Sequence, residues 1–440
     1  MGGTSAAARN LISGNNKDGI AVNVGASNVT VQGNYIGVNA AATGAVANGG
    51  AGVLVNGSSV LVGGTAAGAG NIISGNAFSG INLVGATQSV ITGNLIGLGA
   101  DGVVAIGNAQ AGVRIAYNGA TTTASSNNKV GGANAGEGNV IAGNQGPGIW
   151  ILNNGGTGNS FLGNAIHDNT GLGIDLDPDG VSANDTGDGD TGANNLQNFP
   201  IITSVTQSGQ NITIAGVFNS TASSSYRLEF FSNASGGANT HGQGQNFLGY
   251  TAVTTDASGN ASYSVVLSAA PSGNAWISAT ATSQATNDTS EFALSVQNVV
   301  NNPPVGTAHT VSNKEDVSHI FTVGNFGFTD PNDSPANTFL GVVITTIPVS
   351  GSLMLNNVAV TAGTFIQRSD ISSGALAYVP LANVNGTNVA SFTFQVRDNG
   401  GGDDTDTTPR VMTINLTSVN DAPIGADHTL NLANNTPYAF

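Results

Sequence analysis

The sequence has 440 residues, 64 of them Gly and only 8% charged, a balance too glycine-rich and charge-poor for helical or coiled-coil architectures. Nine Lys and Arg against 25 Asp and Glu give a net charge of −16, which leaves almost no cations to track phosphate and disfavours nucleic acid as a partner. Cys is absent, which excludes disulfides, thiolate zinc sites, iron–sulfur clusters and thiol catalysis, and no run approaches the ~18 apolar residues of a membrane span.

From residue 1 to about 174 the chain repeats itself. Gly2-Gly3-Thr4, Gly63-Gly64-Thr65 and Gly131-Gly132-Ala133 stand 61 and 68 residues apart, ahead of the matching stretches 10–15, 71–76 and 139–144 (Asn-Leu-Ile-Ser-Gly-Asn in the first). A second Gly-Asn follows at Asn34, Asn94 and Asn164, 19, 18 and 20 residues on, which predicts a coil of about 20 residues. Alternations such as Val29 and Val31 or Ile149 and Ile151 have the period of strands. Strands this short bury a face only by stacking coil on coil at ~4.8 Å, like residue over like. Asn at a fixed turn then forms a hydrogen-bonded ladder, and the Gly beside it supplies positive φ.

These residues resemble right-handed parallel β-helix repeat proteins of the bacterial surface type, with I-x-G-N and G-[IV]-x-[IV] coils, over about 170 residues. An insertion around Thr121–Asn128 lengthens one unit, and Met1 stands where Val62 and Val130 precede the other Gly-Gly pairs, so the start is expected to fall inside a coil. The resemblance also implies an enzymatic alternative, a polysaccharide lyase or hydrolase working in the β-helix groove. Its acid–base set would be His167, Asp168, Asp175 and Arg114. With Arg9, Lys17, Arg114 and Lys129 the only basic residues here and His167 the only His, a surface turn closing the last coils is the favoured reading.

Asp175, Asp177, Asp179, Asp185, Asp188 and Asp190 follow, interleaved with Gly and Asn and with no base among them. Mutual repulsion of these carboxylates and the turns that Gly permits predict calcium binding, although no Glu closes an EF-hand pattern. From Pro200 to about Val299 longer alternations take over: Ile212, Ile214, Val217; Tyr226, Leu228, Phe230; Tyr263, Val265; Trp276, Ser278, Thr280. They predict an immunoglobulin-like sandwich without a disulfide, with Trp276 in its core. Glu229-Phe-Phe-Ser-Asn233 and Thr289-Ser-Glu-Phe292 resemble the module that commonly follows such β-helices.

After Asn302-Pro303-Pro304, Pro304–Val311 matches Pro423–Leu430 at an offset of 119 residues, which sets the module length. The segment resembles bacterial cadherin-like tandem domains of large adhesins in Glu315-Asp316, Gly351-Ser-Leu-Met354, Ala377-Tyr-Val-Pro380, Phe392-Thr-Phe-Gln-Val-Arg-Asp398 and Val419-Asn-Asp-Ala-Pro423. That resemblance implies calcium ligands at Glu315, Asp316, Asp398, Asn420 and Asp421, with Asp330 and Asp333 a second set. Asp403, Asp404 and Asp406 divide evenly between a solvated turn and a metal site, and His309 and His428 share one repeat position, which favours a structural role. The expected fold is all-β: a β-helix with an acidic C-terminal loop over 1–195, an immunoglobulin-like β-sandwich over 196–300, a cadherin-like one over 301–421 and the truncated start of another over 422–440. The resemblances imply a calcium-binding, non-enzymatic protein of the bacterial surface or extracellular space. Its partners would be a polysaccharide or a cell-surface protein, without nucleic acid or membrane insertion; the third reading is a purely structural fibre segment.

Overall fold

Strands of two to four residues from successive repeats stack in register into three parallel sheets, which together form a parallel β-helix. The computed structural model describes residues 1–440 except 177–179, 209, 235, 237–239, 269–274, 299, 334, 430, 432–436 and 438–440. The first sheet holds Leu11–Ile12, Tyr35–Ile36, Ile72–Ile73, Leu95–Ile96, Val140–Ala142 and Ala165–His167. The second holds Ile20–Val22, Val53–Val55, Ile81–Val84, Val113–Ala116, Ile149–Ile151 and Ile174–Asp175. The third runs from Thr30–Val31 to Ser160–Leu162. Inward residues align in columns: Ile36, Ile73, Ile96, Ile141 and Ile166 on the first sheet, and Val31, Val62, Ile91, Val130 and Phe161 on the third.

Two asparagine ladders, buried from their second rung onward, run along the stack. In one, Asn10, Asn34, Asn71, Asn94, Asn139 and Asn164 are linked by side-chain amides donating to the next Oδ1 at 2.8–3.1 Å. In the other, Asn15, Asn48, Asn76, Asn108, Asn144 and Asn169 are linked at 2.8–2.9 Å. The Gly-Asn pairs that suggested a coil of about 20 residues therefore mark two different corners. True coil steps along the first ladder are 24, 37, 23, 45 and 25 residues. The long coils carry their surplus outward in hairpins bridged at Val38 and Ala45 and at Leu98 and Ala105, and in a turn bridged at Asn118 and Thr123. Within the recurring Gly-Asn pairs, Gly14, Gly33, Gly75, Gly93, Gly143 and Gly163 hold the left-handed conformation expected of them, with φ of +74° at Gly14 and +67° at Gly33.

The end of the last coil is closed by the sandwich that follows it. The N–H of Gly158 donates to Asp288, that of Phe161 to Thr289 Oγ1, that of Gly163 to Glu229, and those of Leu176 and Ser182 to Glu291, at 2.5–3.0 Å. Gln243 takes the place of a further rung: its Oε1 accepts from Asn169 N and Nδ2 at 3.2 and 3.1 Å. Phe231 and Phe292, ring centroids 5.4 Å apart, close the apolar bore. Gly173 leaves room for the second of them, since a Cβ there would stand 2.7 Å from its ring.

The sandwich pairs a three-stranded sheet (Ile201–Ser208, Asn211–Asn219, Asn260–Leu267) with a four-stranded one (Asn246–Thr254, Ser225–Asn233, Trp276–Ser283, Val296–Gln297). Its core holds Ile212, Ile214, Phe218, Tyr226, Leu228, Phe230 and Tyr263. Ile277, Ala279 and Ala281 face that core, so Trp276 lies outside it, contrary to expectation, and stays half-buried at the strand's start. The phase was unreadable because Ser278, Thr280 and Thr282, on the opposite face, are buried as well.

Two compact units result, Met1–Val300 and Asn301–Phe440. The second is a sandwich of a five-stranded sheet (His309–Lys314, Arg410–Thr417, Gly386–Asp398, Phe339–Thr346, Phe365–Gln367) and a four-stranded one (His319–Ile320, Leu376–Val379, Ser352–Leu355, Val358–Ala359) around Phe321, Phe326, Tyr378, Phe392 and Phe394. Its first strand pairs in parallel with its last. Residues 418–429 are exposed and form no strand. Among the described residues no helix is long and apolar enough to cross a membrane.

Asn108→Ala removes the acceptor of Asn76 N and Nδ2, so urea unfolding of the first unit is expected to show a loss of roughly 2–5 kcal/mol. Exposed Asn23→Ala should change it by less than about 0.5 kcal/mol. A ladder variant indistinguishable from the exposed control would show that the stack owes its stability to the apolar columns alone.

Candidate functional site

Acidic side chains converge at two places among the described residues, Asp185 with Asp188 and Asp190, and Asp330 with Asp333 and Asp398. In each, one oxygen per residue lies within 4.8 Å of the others. That is the spacing of ligands around one calcium ion with bonds of about 2.3–2.6 Å.

The first cluster sits in a Gly-rich turn before the sandwich. Asp188, at φ +56°, accepts from Asn198 N, Gln197 Nε2 and Ser220 Oγ, which fixes its carboxylate. Asp185 accepts from Gly189 N through one oxygen, while Asp185 Oδ1 and Asp190 Oδ1 are buried without a hydrogen-bond partner. Burial raises the Asp188 and Asp190 pKa values, and neighbouring carboxylates add to the rise.

The second cluster lies within the second unit. Asp398 is fully buried at the end of its long strand; its Oδ1 accepts from Asn301 Nδ2 and Gly400 N, and its Oδ2 has no partner. Asp330, 7% exposed, accepts from Asn337 N through Oδ2 and leaves Oδ1 unpartnered. Asp333 is held by Asn302 and by Asn337 Nδ2. Burial pushes the Asp398 carboxyl up, and Asp330 and Asp404 push it further. Two buried oxygens that lack donors and face a third carboxylate form the environment a hard cation neutralises.

The other candidates are placed elsewhere. Asp175 is buried on its strand opposite Trp150, apart from both clusters, and Asp177 and Asp179 lie outside the described residues. Glu315 is occupied by Val419 N and Asn385 Nδ2, and Asp316 accepts from Asn383 N, so both tie backbone segments together. Asn420 and Asp421 are exposed and belong to neither cluster. Asp404 and Asp406 pair with Arg397 and Arg410. Of the acid–base set, His167 Nδ1 lies 2.7 Å from Asp168 Oδ2 on the first sheet. Arg114 and Asp175 stand on the second sheet with Trp150 between them, and Arg114 donates to Asn82 at 2.9 Å.

No protein-family model matches this sequence, and no curated protein matches it. Among solved structures the chain is similar to the Dettilon tailspike protein, at 15% identity over 57% of this chain and 58% of that one, with a TM-score of 0.17. It is also similar to red sea bream transglutaminase, at 10% identity, 51% and 32% coverage and a TM-score of 0.16. A third is a tailspike protein from Acinetobacter baumannii bacteriophage Fri1, a capsular polysaccharide depolymerase, at 10% identity, 66% and 54% coverage and a TM-score of 0.14. The chain thus spans less than two thirds of the length of each of these proteins.

Because the folded state raises the pKa of Asp398, it holds more protons than the unfolded chain just above the ordinary carboxylate range. In chelator, the contribution of this group to stability is therefore expected to fall as pH rises from about 4 through its raised pKa, and Asp398→Asn to remove that component. Urea unfolding of the second unit across pH 4–7 checks this; an unchanged profile in the variant would exclude it.

Proposed function

We propose that this chain is part of a calcium-binding, modular protein of the bacterial surface or extracellular space, used for attachment to a polysaccharide or a surface protein rather than for catalysis. The observation that carries this reading is the Asp330, Asp333 and Asp398 cluster with its two unpartnered buried oxygens. The Asp185, Asp188 and Asp190 turn supports it with two more such atoms. A cadherin-like assignment of the second unit draws support from its parallel first and last strands and from the position of the Phe392–Asp398 motif, whose strand ends on the cluster. An immunoglobulin-like assignment of the preceding sandwich draws support from its three- and four-stranded sheets. Attachment is preferred to acid–base chemistry because His167, with Asp168 just past the end of its strand, belongs to a different sheet from Arg114 and Asp175.

The test is thermal unfolding in millimolar calcium against chelator. For sites of 10⁻⁴–10⁻³ M affinity, 1 mM calcium stabilises the unit holding each site by roughly 0.4–1.4 kcal/mol. Asp330→Asn with Asp398→Asn should abolish the gain in the second unit, yet raise its stability in chelator by relieving carboxylate repulsion. Absence of any calcium response in the unmodified protein would sink the reading.

A further inference from the structure

We propose that the junction between the last coil and the sandwich of the first unit is a binding pocket for an uncharged saccharide unit. A cavity of about 380 Å³ opens there, lined by His167, Asp168 and Asn169 from the coil and by His241, Gln243 and Gln245 from the sandwich. That volume suits one or two sugar rings.

The lining groups divide into those that fix the wall and those left open. Gln243 is fully engaged: its Oε1 accepts from Asn169, and its Nε2 donates to Asn169 O and Gly171 O at 2.9 and 3.3 Å. Asn233 donates to Gln243 O and accepts from Gln245 N, so the sandwich side of the wall is rigid as well. The open groups are of mixed polarity. His241 Nδ1 lies 2.7 Å from Phe292 O, and a carbonyl only accepts, so the proton sits on Nδ1 and Nε2 is left as an acceptor. Asp168 engages His167 Nδ1 in the same way, leaving that ring's Nε2 without a partner among the described residues. Gln245 Oε1 accepts from Ala234 N, which leaves its amide Nε2 to donate.

Charge and polarity select the ligand class. Asp168 and the net charge of −16 repel anions, and the two acidic clusters that suit a metal lie elsewhere. Two ring acceptors, a carboxylate oxygen and an amide donor suit hydroxyl groups, each of which both donates and accepts. The proposal deepens the attachment reading and rests on it, since it supplies that reading with a ligand; calcium plays no part in the pocket.

The experiment is saturation-transfer NMR of the full chain with neutral methyl glycosides of glucose, galactose, mannose and N-acetylglucosamine, and with galacturonate as the anionic comparison, in calcium and in chelator. At least one neutral glycoside is expected to bind, more tightly than galacturonate. His241→Ala and Gln245→Ala, compared with unmodified protein of matching melting temperature, should each weaken it about tenfold, the equivalent of one hydrogen bond. No transfer to any neutral glycoside, transfer that survives both substitutions, or preference for galacturonate would overturn the proposal. A sugar signal retained in protein that ignores calcium would count against the metal sites alone, and a calcium response without a sugar signal against the pocket alone.

Discussion

Asparagine-to-asparagine hydrogen bonds in the ladders all run one way, each side-chain amide short of the last rung donating to the Oδ1 of the coil that follows. The deficit of acceptors therefore collects at the last coil, where no further turn receives the N–H groups. The chain meets it with groups that accept there: Glu229, Asp288 and Glu291, each at most 2% exposed, together with Thr289 Oγ1 and Gln243 Oε1. An ionised carboxylate only accepts, which suits it to a surface made of donors. Burying it is costly in isolation and tolerable here because N–H groups, and Arg227 in the case of Glu229, surround it. This requirement explains why β-helix and first sandwich form one compact unit.

The stack itself was legible in the sequence because a ladder demands the same residue at the same corner of every coil. What the repeat concealed was the number of corners. Asn15 and Asn34 look alike because both follow a Gly with positive φ and both stack, yet they belong to separate ladders, and the spacing between them is not a coil. The cap was not legible in the same way. Glu229-Phe-Phe and Ser-Glu-Phe292 are distinctive as motifs, but the N–H groups they serve lie up to 115 residues away along the chain, and only the fold brings the two together.

The acidic clusters divide along the same line. Asp185, Asp188 and Asp190 were readable from local density, since a short Gly-rich turn leaves its carboxylates little room to separate. Asp330 and Asp398 meet because the strand Phe339–Thr346, which follows the first, pairs with the strand that the second ends. Glu315 and Asp316 matched their motif equally well, but their partners are Val419 N, Asn385 Nδ2 and Asn383 N, and they join neither cluster. Coils of 37 and 45 residues pass unnoticed by the core for a related reason: the hairpins that absorb their excess project from the corners, leaving the inward columns in register.

The pairing of His309–Lys314 with Arg410–Thr417 bears on how the second unit carries load. The two strands are parallel and are the first and last of their module, so tension applied through the chain enters at one end of the pair and leaves at the other. All six residue pairs from His309 with Met412 to Lys314 with Thr417 are then loaded in shear together instead of being opened one after another. A module tethered at both ends would resist extension until that whole row gives way at once.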